Sequence, residues 1–531
     1  VKFHYSALVT LLLITPAFCA APVAAQVTAD RLLNASKEPQ NWLMYSGDYN
    51  GRRHSSLEQI NTGNAAQVVP MWAYQTMAGG KFETTPLVVD GILYATGQDD
   101  RAFALDARTG RPIWQYQRAL PDDIRPCCGR VNRGLAILGD KVFLGTLDAH
   151  VIALDAKTGN VVWDVAAVDY TKGYSFTLAP LVIKNMVLVG ISGGEYGIRG
   201  FIDAYDARTG QRKWRFYTVP APGEPGGDTW EGDSWKIGGA PAWITGTYDP
   251  ETNTTFWTTG NPSPSNRGEG RAGDNLYSNS LLALDPDTGK LKWHLQFTRH
   301  DEHDYDATQV PVMVDEDGKK LILQANRNGF FYVVDRATGK LLHADSYAKV
   351  SWSKEKDANG LPIPAKEGSP TLEGNRVCPG AAGATNWMSP TYDPQTKLFY
   401  VTAREQCDVF STAPQPYEAG HAYYGSAYFP NDDAEPFYGA LRALDPETGK
   451  VKWEWKHPSP TWSGVLSTDG GLVFTGDAEG NFIALDAATG KALWHFQCGA
   501  SVYSSPMTYA INGKQYVAVA AGTTLFAFGL P

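Results

Sequence analysis

Charge is scarce in this chain of 531 residues, and what there is leans acidic. Lys, Arg, Asp and Glu make up 19% of it and the formal net charge is −10, against ~25% charged residues in an ordinary soluble domain. A basic surface for nucleic acid is therefore not expected. Long apolar runs are missing too: beyond the N-terminal segment nothing approaches the ~18 residues that span a bilayer. No Cys-x-x-Cys-His is present, which excludes covalently attached haem. No Gly-x-Gly-x-x-Gly follows a strand and opens a helix, so a nicotinamide-binding fold has no support. A Gly-x-Ser-x-Gly nucleophile elbow is absent as well. Cysteine is rare, with six in all.

What is plentiful points the other way. Apolar residues reach 43%, enough for a sizeable core, and 54 Gly with 33 Pro imply many turns and few long helices. The 16 Trp are many for the length. At the N-terminus, Lys2 and His4 precede an apolar run from Ala7 to Ile14, Pro16 breaks it, and Val23-Ala24-Ala25 precedes Gln26. This reads as a secretory leader over residues 1–25, with export to the periplasm and a mature chain of residues 26–531. Cys19 lacks the small residues that a lipid anchor would want before it. The five remaining cysteines, Cys127, Cys128, Cys378, Cys407 and Cys498, would face an oxidising compartment, and their odd number leaves one over.

Length alone predicts three or four domains at about 150 residues each. An internal repeat replaces that expectation. Ala-Leu-Asp-x-x-Thr-Gly-x-x-x-Trp runs over Ala104–Trp114, Ala153–Trp163, Ala204–Trp214 (with Tyr205 for Leu), Ala283–Trp293, Ala443–Trp453 and Ala484–Trp494. A degenerate copy, Val333–Leu342, keeps Asp335, Thr338 and Gly339 without a Trp. Each copy reads as strand, tight turn, strand, and a further strand pair lies upstream, as in Pro86–Asp90 and Ile92–Thr96. Four strands at a period of about 50 residues describe a propeller blade. Val69–Gln75, with Trp72, is left as an orphan strand, and Ser505–Gly529 supplies three more. Joining the two ends predicts an all-β, eight-bladed β-propeller closed by its N- and C-terminal strands, as one domain. The six motif Trp are expected to pack between blades. Insertions fall between Asp206 and Asp285 and between Asp335 and Asp445, the second Pro- and Gly-rich over roughly Ser346–Thr385. Such insertions are where a site is usually built.

Function should lie where the chain departs from its own period. Cys127-Cys128 is the most specific departure. Adjacent Cα atoms sit ~3.8 Å apart, closer than the ~4.4–6.8 Å of most disulfides. The pair is therefore either two thiols or a rigid eight-membered ring with a face for a planar cofactor. The second departure is His300-Asp301-Glu302-His303-Asp304-Tyr305-Asp306. Asp304 and Asp306 alternate along an extended segment and can face one side. With Glu195 and Asn261, each placed after a strand, they make an oxygen-rich set of the Ca²⁺ type, or else a solvated acidic loop. Zinc at His300 and His303 lacks a third nitrogen or sulfur ligand nearby.

Taken together, the Trp repeats, Cys127-Cys128-Gly-Arg-Val-Asn-Arg133-Gly and the His300–Asp306 segment resemble the pyrroloquinoline quinone (PQQ) dependent alcohol dehydrogenases of the methanol/ethanol family, from about Asn41 to the C-terminus. The resemblance implies a Cys127–Cys128 disulfide on one face of PQQ and Trp243 on the other. It implies Glu83, Arg133, Thr177, Ser192, Gly193, Gly194 and Asn386 at the quinone's polar edge, with Trp462 nearby. Glu195, Asn261 and Asp304 match metal ligands, Asp304 the catalytic base, and Arg327 the arginine beside the reactive carbonyl. Cys378 and Cys407 match a structural disulfide, leaving Cys498 unpaired. Two departures stand out. His303 occupies a position that is Trp in methanol-oxidising relatives, implying a different substrate pocket. Asp306 adds a carboxylate that marks lanthanide-dependent members, although sugar dehydrogenases with divalent metals also carry it, so Ca²⁺ and a lanthanide both stand. A separate cytochrome c is the implied electron acceptor and a small alcohol the substrate. The competing readings are a PQQ-dependent sugar or polyol dehydrogenase and a non-catalytic propeller acting as an assembly factor.

Overall fold

The computed structural model describes residues 1–2, 26–431 and 436–531, so nearly all of the expected leader lies outside the described residues. Strands dominate. Among the described residues they form seven four-stranded sheets, one five-stranded sheet and two small ones. Six of the large sheets are antiparallel meanders in chain order; of the other two, one adds His54–Ser55 in parallel and one pairs Val69–Gln75 with the last strand of the chain, and the fold is an all-β propeller. The first consists of Leu87–Val89, Ile92–Thr96, Arg101–Asp106 and Pro112–Gln117. In its inner strands the residues are buried throughout, while the outermost alternates buried and exposed, as expected where sheets stack face to face around a core.

The repeat explains how one sheet grips the next. In the first copy Asp106 Oδ1 accepts from the backbone N–H groups of Arg108 (2.9 Å) and Thr109 (3.1 Å), an Asx turn that fixes the hairpin. The strand after the turn carries a one-residue bulge, shifting the register between Ala104 and Leu105. The same shift recurs at Ala204/Tyr205, Ala283/Leu284, Val333/Val334, Ala443/Leu444 and Ala484/Leu485. A bulge re-aims the following side chain, here the Trp. Trp114 then donates from Nε1 to Ala156 O at 2.9 Å, in the turn of the next sheet, and its ring lies 2.6 Å from where a Cβ at Gly159 would stand. Trp163, Trp214 and Trp453 bond the next turn at Ala207, Pro286 and Ala487 in the same way, and Trp293 packs on Gly339. The expectation that these Trp lock neighbouring blades is met.

The degenerate copy is less degenerate than it reads. His343, not Leu342, occupies the Trp position, and its Nε2 meets Pro446 O at 2.9 Å, the contact an indole makes elsewhere. At the termini, Val69–Gln75 pairs antiparallel with Thr524–Gly529. Trp72 donates to Ala107 O, and Trp494 donates to Val68 O. The second insertion carries the small sheets, Ser353–Lys356 with Pro362–Pro364, and Asn375–Val377 with Asp408–Phe410 and Tyr428–Pro430.

Candidate active site

In an antiparallel four-stranded meander, the segment entering the first strand and the one linking the second to the third lie at the same end. Every residue singled out above sits in such a segment or in the excursion between two sheets, opposite the Asp/Thr/Gly turns. Glu83 precedes the first sheet, and Cys127, Cys128 and Arg133 precede the strand Ala136–Leu138. Thr177, Trp243, Asn386 and Trp462 each precede a first strand. Ser192–Glu195, Asn261 and Arg327 follow second strands. The irregular ends thus converge on a cavity of about 300 Å³, lined among others by Glu83, Cys127, Cys128, Arg133, Thr177, Ser192, Gly193, Glu195, Trp243, Asp304, Asp306, Arg327, Asn386 and Trp462.

Cys127 and Cys128 are disulfide-bonded, with Cα atoms 3.8 Å apart and Cys128 at φ 68°. Of the two readings their spacing allowed, the ring is the one present. Arg133 forms an ion pair with Glu83 (2.7 Å), donates to Thr177 Oγ1 (2.9 Å), and holds its guanidinium 4.9 Å from the Trp243 ring. Thr177 Oγ1 in turn meets Ser192 Oγ at 2.9 Å. Burial pushes the Glu83 carboxyl up, and the charges of Arg133 and Lys81 oppose that. Gly193 is at φ 114°, where a Cβ would meet Gly173 O at 2.1 Å; at Gly194 a Cβ would meet Pro241 and Asn261 Oδ1 inside 3.0 Å. Two glycines let this backbone fold tightly enough to present Glu195. Gly194 supports the site from behind rather than lining the cavity.

The acidic side is neutralised by one guanidinium. Arg327 Nη2 pairs with Asp304 Oδ2 (2.8 Å) and Nη1 with Asp306 Oδ2 (2.6 Å), while Nε donates to Ala381 O (2.9 Å). Asp306 is filled further by Trp243 Nε1 (3.2 Å) and the Asn261 N–H (2.6 Å). Asp304 Oδ1 and Asn261 Oδ1 are buried and accept from no protein donor. Buried oxygens without donors are costly, and they suit a hard cation. The metal-ligand set is therefore only partly alike: Asp306, unlike Asn261 and Asp304, has both oxygens occupied. Glu195 lies close to the disulfide, its carboxylate within 4.8 Å of both sulfurs. Burial and then the charge of Asp306 raise its carboxyl to about 7. Burial likewise holds Asp304 and Asp306 above the usual carboxylate range, against the pull of Arg327.

His303 departs from expectation. It does not line the cavity; its Nε2 meets Gly368 O at 2.7 Å and its ring stacks on Tyr305 at 5.0 Å. His300 faces Gly273 O instead, and among the described residues neither histidine belongs to a cluster of metal-ligating atoms. Conversely, the cavity is lined by residues that sequence reasoning missed: Lys81, Trp387, Tyr424 and Tyr428. Trp387 stacks parallel to Trp462, with centroids 6.4 Å apart, and faces Arg133 at 5.3 Å. Its signal was available, since it is a Trp outside the repeat next to Asn386. The tyrosines come from the excursion after Phe410 and had none. Cys378 and Cys407 are disulfide-bonded and Cys498 is a free thiol.

A disulfide ring, an indole and a carboxylate pair bridged by arginine thus meet around one cavity of the propeller. A family profile for the PQQ-binding β-propeller domain of glucose/ethanol/alcohol dehydrogenases matches residues 42–359 and 456–517, and the chain belongs to that family. It is 41% identical to the quinoprotein alcohol dehydrogenase PedH of Pseudomonas putida, over 94% of this chain and 89% of that one. The solved structure of the quinohemoprotein alcohol dehydrogenase ADHIIG from Pseudomonas putida HK5 superposes with a TM-score of 0.90 at 36% identity, covering 96% of this chain and 83% of that one. A europium-containing methanol dehydrogenase superposes with a TM-score of 0.90 at 34% identity, covering 94% and 100%.

Proposed function

We propose that the chain is an exported, periplasmic quinoprotein that oxidises an alcohol, a primary one first, to the aldehyde with PQQ and one metal ion. The observation that carries this reading is the meeting of Cys127–Cys128, Trp243 and the Asp304–Arg327–Asp306 cluster in one cavity. Residues 26–531 form one eight-bladed ring after a leader of residues 1–25. Its closure is supported by the terminal strand pairing and by Trp494, which bonds the chain just before the first blade partner.

PQQ, when bound, supplies the hydride acceptor. Cys127–Cys128 and Trp243 would hold its faces, and Glu83, Arg133, Thr177, Ser192, Gly193, Asn386 and Trp462 its edge, with Gly194 backing Gly193. Glu195, Asn261 and Asp304 would hold the cation, with Asp306 completing the charge. Asp304 is the general base. Arg327 anchors Oδ2, so Oδ1 would serve both roles, one lone pair toward the cation and the other to accept the alcohol's hydroxyl proton. Burial strengthens that base, while the charge of Arg327 favours its ionised form. The cation is a lanthanide ion, with Ca²⁺ as the divalent alternative. The surplus carboxylate at Asp306 suits a trivalent ion, as does the likeness to the europium-containing enzyme. Electrons would leave to a separate cytochrome c. Among the described residues no helix is long and apolar enough to cross a membrane.

The test is reconstitution. Chelator-stripped protein is given PQQ with La³⁺ or Ca²⁺, and dye-linked oxidation is followed across alcohols, polyols and sugars. Activity on primary alcohols that requires PQQ and is highest with La³⁺ is expected. Activity with Ca²⁺ alone removes the lanthanide assignment, turnover of sugars alone removes the alcohol, and indifference to PQQ removes the function.

A further inference from the structure

The protein charges lining the cavity are net negative, so an uncommitted cation among them matters to an anionic cofactor. PQQ is a tricarboxylate, yet the lining carries four carboxylates, Glu83, Glu195, Asp304 and Asp306, against three cations, Lys81, Arg133 and Arg327. Arg133 is committed to Glu83 at 2.7 Å, and Arg327 to Asp304 and Asp306 at 2.8 and 2.6 Å. Among the described residues, Lys81 is the cation of this lining with no carboxylate oxygen within 4.0 Å. It is also placed deliberately. Phe82 is 1% exposed and belongs to the core, whereas its neighbours Lys81 and Glu83 both line the cavity, the alternation of an extended segment. The Lys81 ammonium stands 5.8 Å from the Trp462 ring and 5.9 Å from the Tyr503 ring, so two aromatic faces hold a flexible cation at the mouth. Gly79 and Gly80 precede it, the latter at φ 101°, leaving the arm little steric restriction.

We propose that Lys81 is a cofactor-binding residue: its ammonium takes a carboxylate of the bound quinone at the mouth of the cavity, on the side of Trp462. This rests on the PQQ reading above. A lysine acts here as a mobile point charge and not as a rigid fork, so its contribution is to affinity and depends on salt.

The experiment is a titration of PQQ into metal-loaded, cofactor-free protein, read by quenching of tryptophan fluorescence, for which Trp243, Trp387 and Trp462 stand in the cavity wall. Lys81→Gln should raise the PQQ dissociation constant about tenfold, Lys81→Glu more, and Lys81→Arg should stay near the parent. The loss of affinity with added salt should be shallower in Lys81→Gln than in the parent. Lys81 is exposed and unpaired, so folding is preserved, checked by far-ultraviolet circular dichroism. Affinity within about twofold of the parent and an equal salt dependence in Lys81→Gln would overturn the assignment; so would unchanged affinity with reduced turnover. If the parent itself fails to bind PQQ, the quinoprotein reading falls and takes this inference with it.

Discussion

The two ends of the same sheets obey different rules. At one end the Asp/Thr/Gly turns repeat almost unchanged, and Trp114, Trp163, Trp214 and Trp453 each bond the turn of the following sheet. At the other end no two segments are alike, and Cys127, Glu195, Trp243, Asp304 and Arg327 arrive from different sheets. The comparison teaches what each end is for. Repetition spreads stability over many equivalent contacts, so no single one is tied to chemistry. Irregularity concentrates unlike groups in one place, where burial and charge oppose each other.

Breaking the irregular end should cost stability and activity together. Arg327→Ala leaves Asp304 and Asp306 buried without a counter-charge, so the metal-free protein should lose about 3–5 kcal/mol and turnover together. Adding La³⁺ should recover part of the stability and none of the activity. Denaturant unfolding with and without the ion checks this. Breaking the regular end should separate the two properties. Trp114→Ala should cost about 3–5 kcal/mol of stability, while the turnover of each folded molecule stays that of the parent, measured with titrated active sites.

A third prediction uses pH. His457 is 1% exposed, both ring nitrogens lack partners, and burial lowers its pKa to about 4. Unfolded, it titrates near 6.5, so between pH 6.5 and about 4 the unfolded chain binds the extra proton and stability falls as pH falls. The loss from this residue should reach about 3 kcal/mol near pH 4, and His457→Gln should flatten that part of the stability profile. Smallest of all is the stand-in contact. His343→Ala removes one hydrogen bond to Pro446 and should cost about 1 kcal/mol, whereas a loss comparable with that at Trp114 would show that the seventh copy is not equivalent to the others.

The regular end was the legible one. A fixed Asp-to-Trp spacing can be read without a structure because each copy repeats the same local solution, and it led to strands, turns and blade order. Even there the bulge before each Trp left no mark, since it inserts one residue into a strand without changing residue type; His343 stands as far from Asp335 as Trp114 from Asp106, and went unread because its residue type differs. Of the cavity, Cys127-Cys128, Asp304 and Asp306 were legible through their unusual local pattern, and Arg327 only through the family resemblance. Lys81, Trp387, Tyr424 and Tyr428 were not, because ordinary residues in aperiodic segments acquire a role only when distant segments converge. His303 is the converse case: it sits inside the most conspicuous motif, yet its ring turns to Gly368 O, and the segment is not the extended one expected, since Asp304 next to it lies at φ 62°.

The most direct measurement compares the parent with Asp304→Ala, each loaded with PQQ and metal, by quinone absorbance and by dye-linked alcohol oxidation. Asp304→Ala should keep the bound-quinone absorbance while turnover drops by at least about a thousandfold, as expected when a general base that also serves as a metal ligand is lost. Turnover retained in Asp304→Ala would contradict the account at its centre.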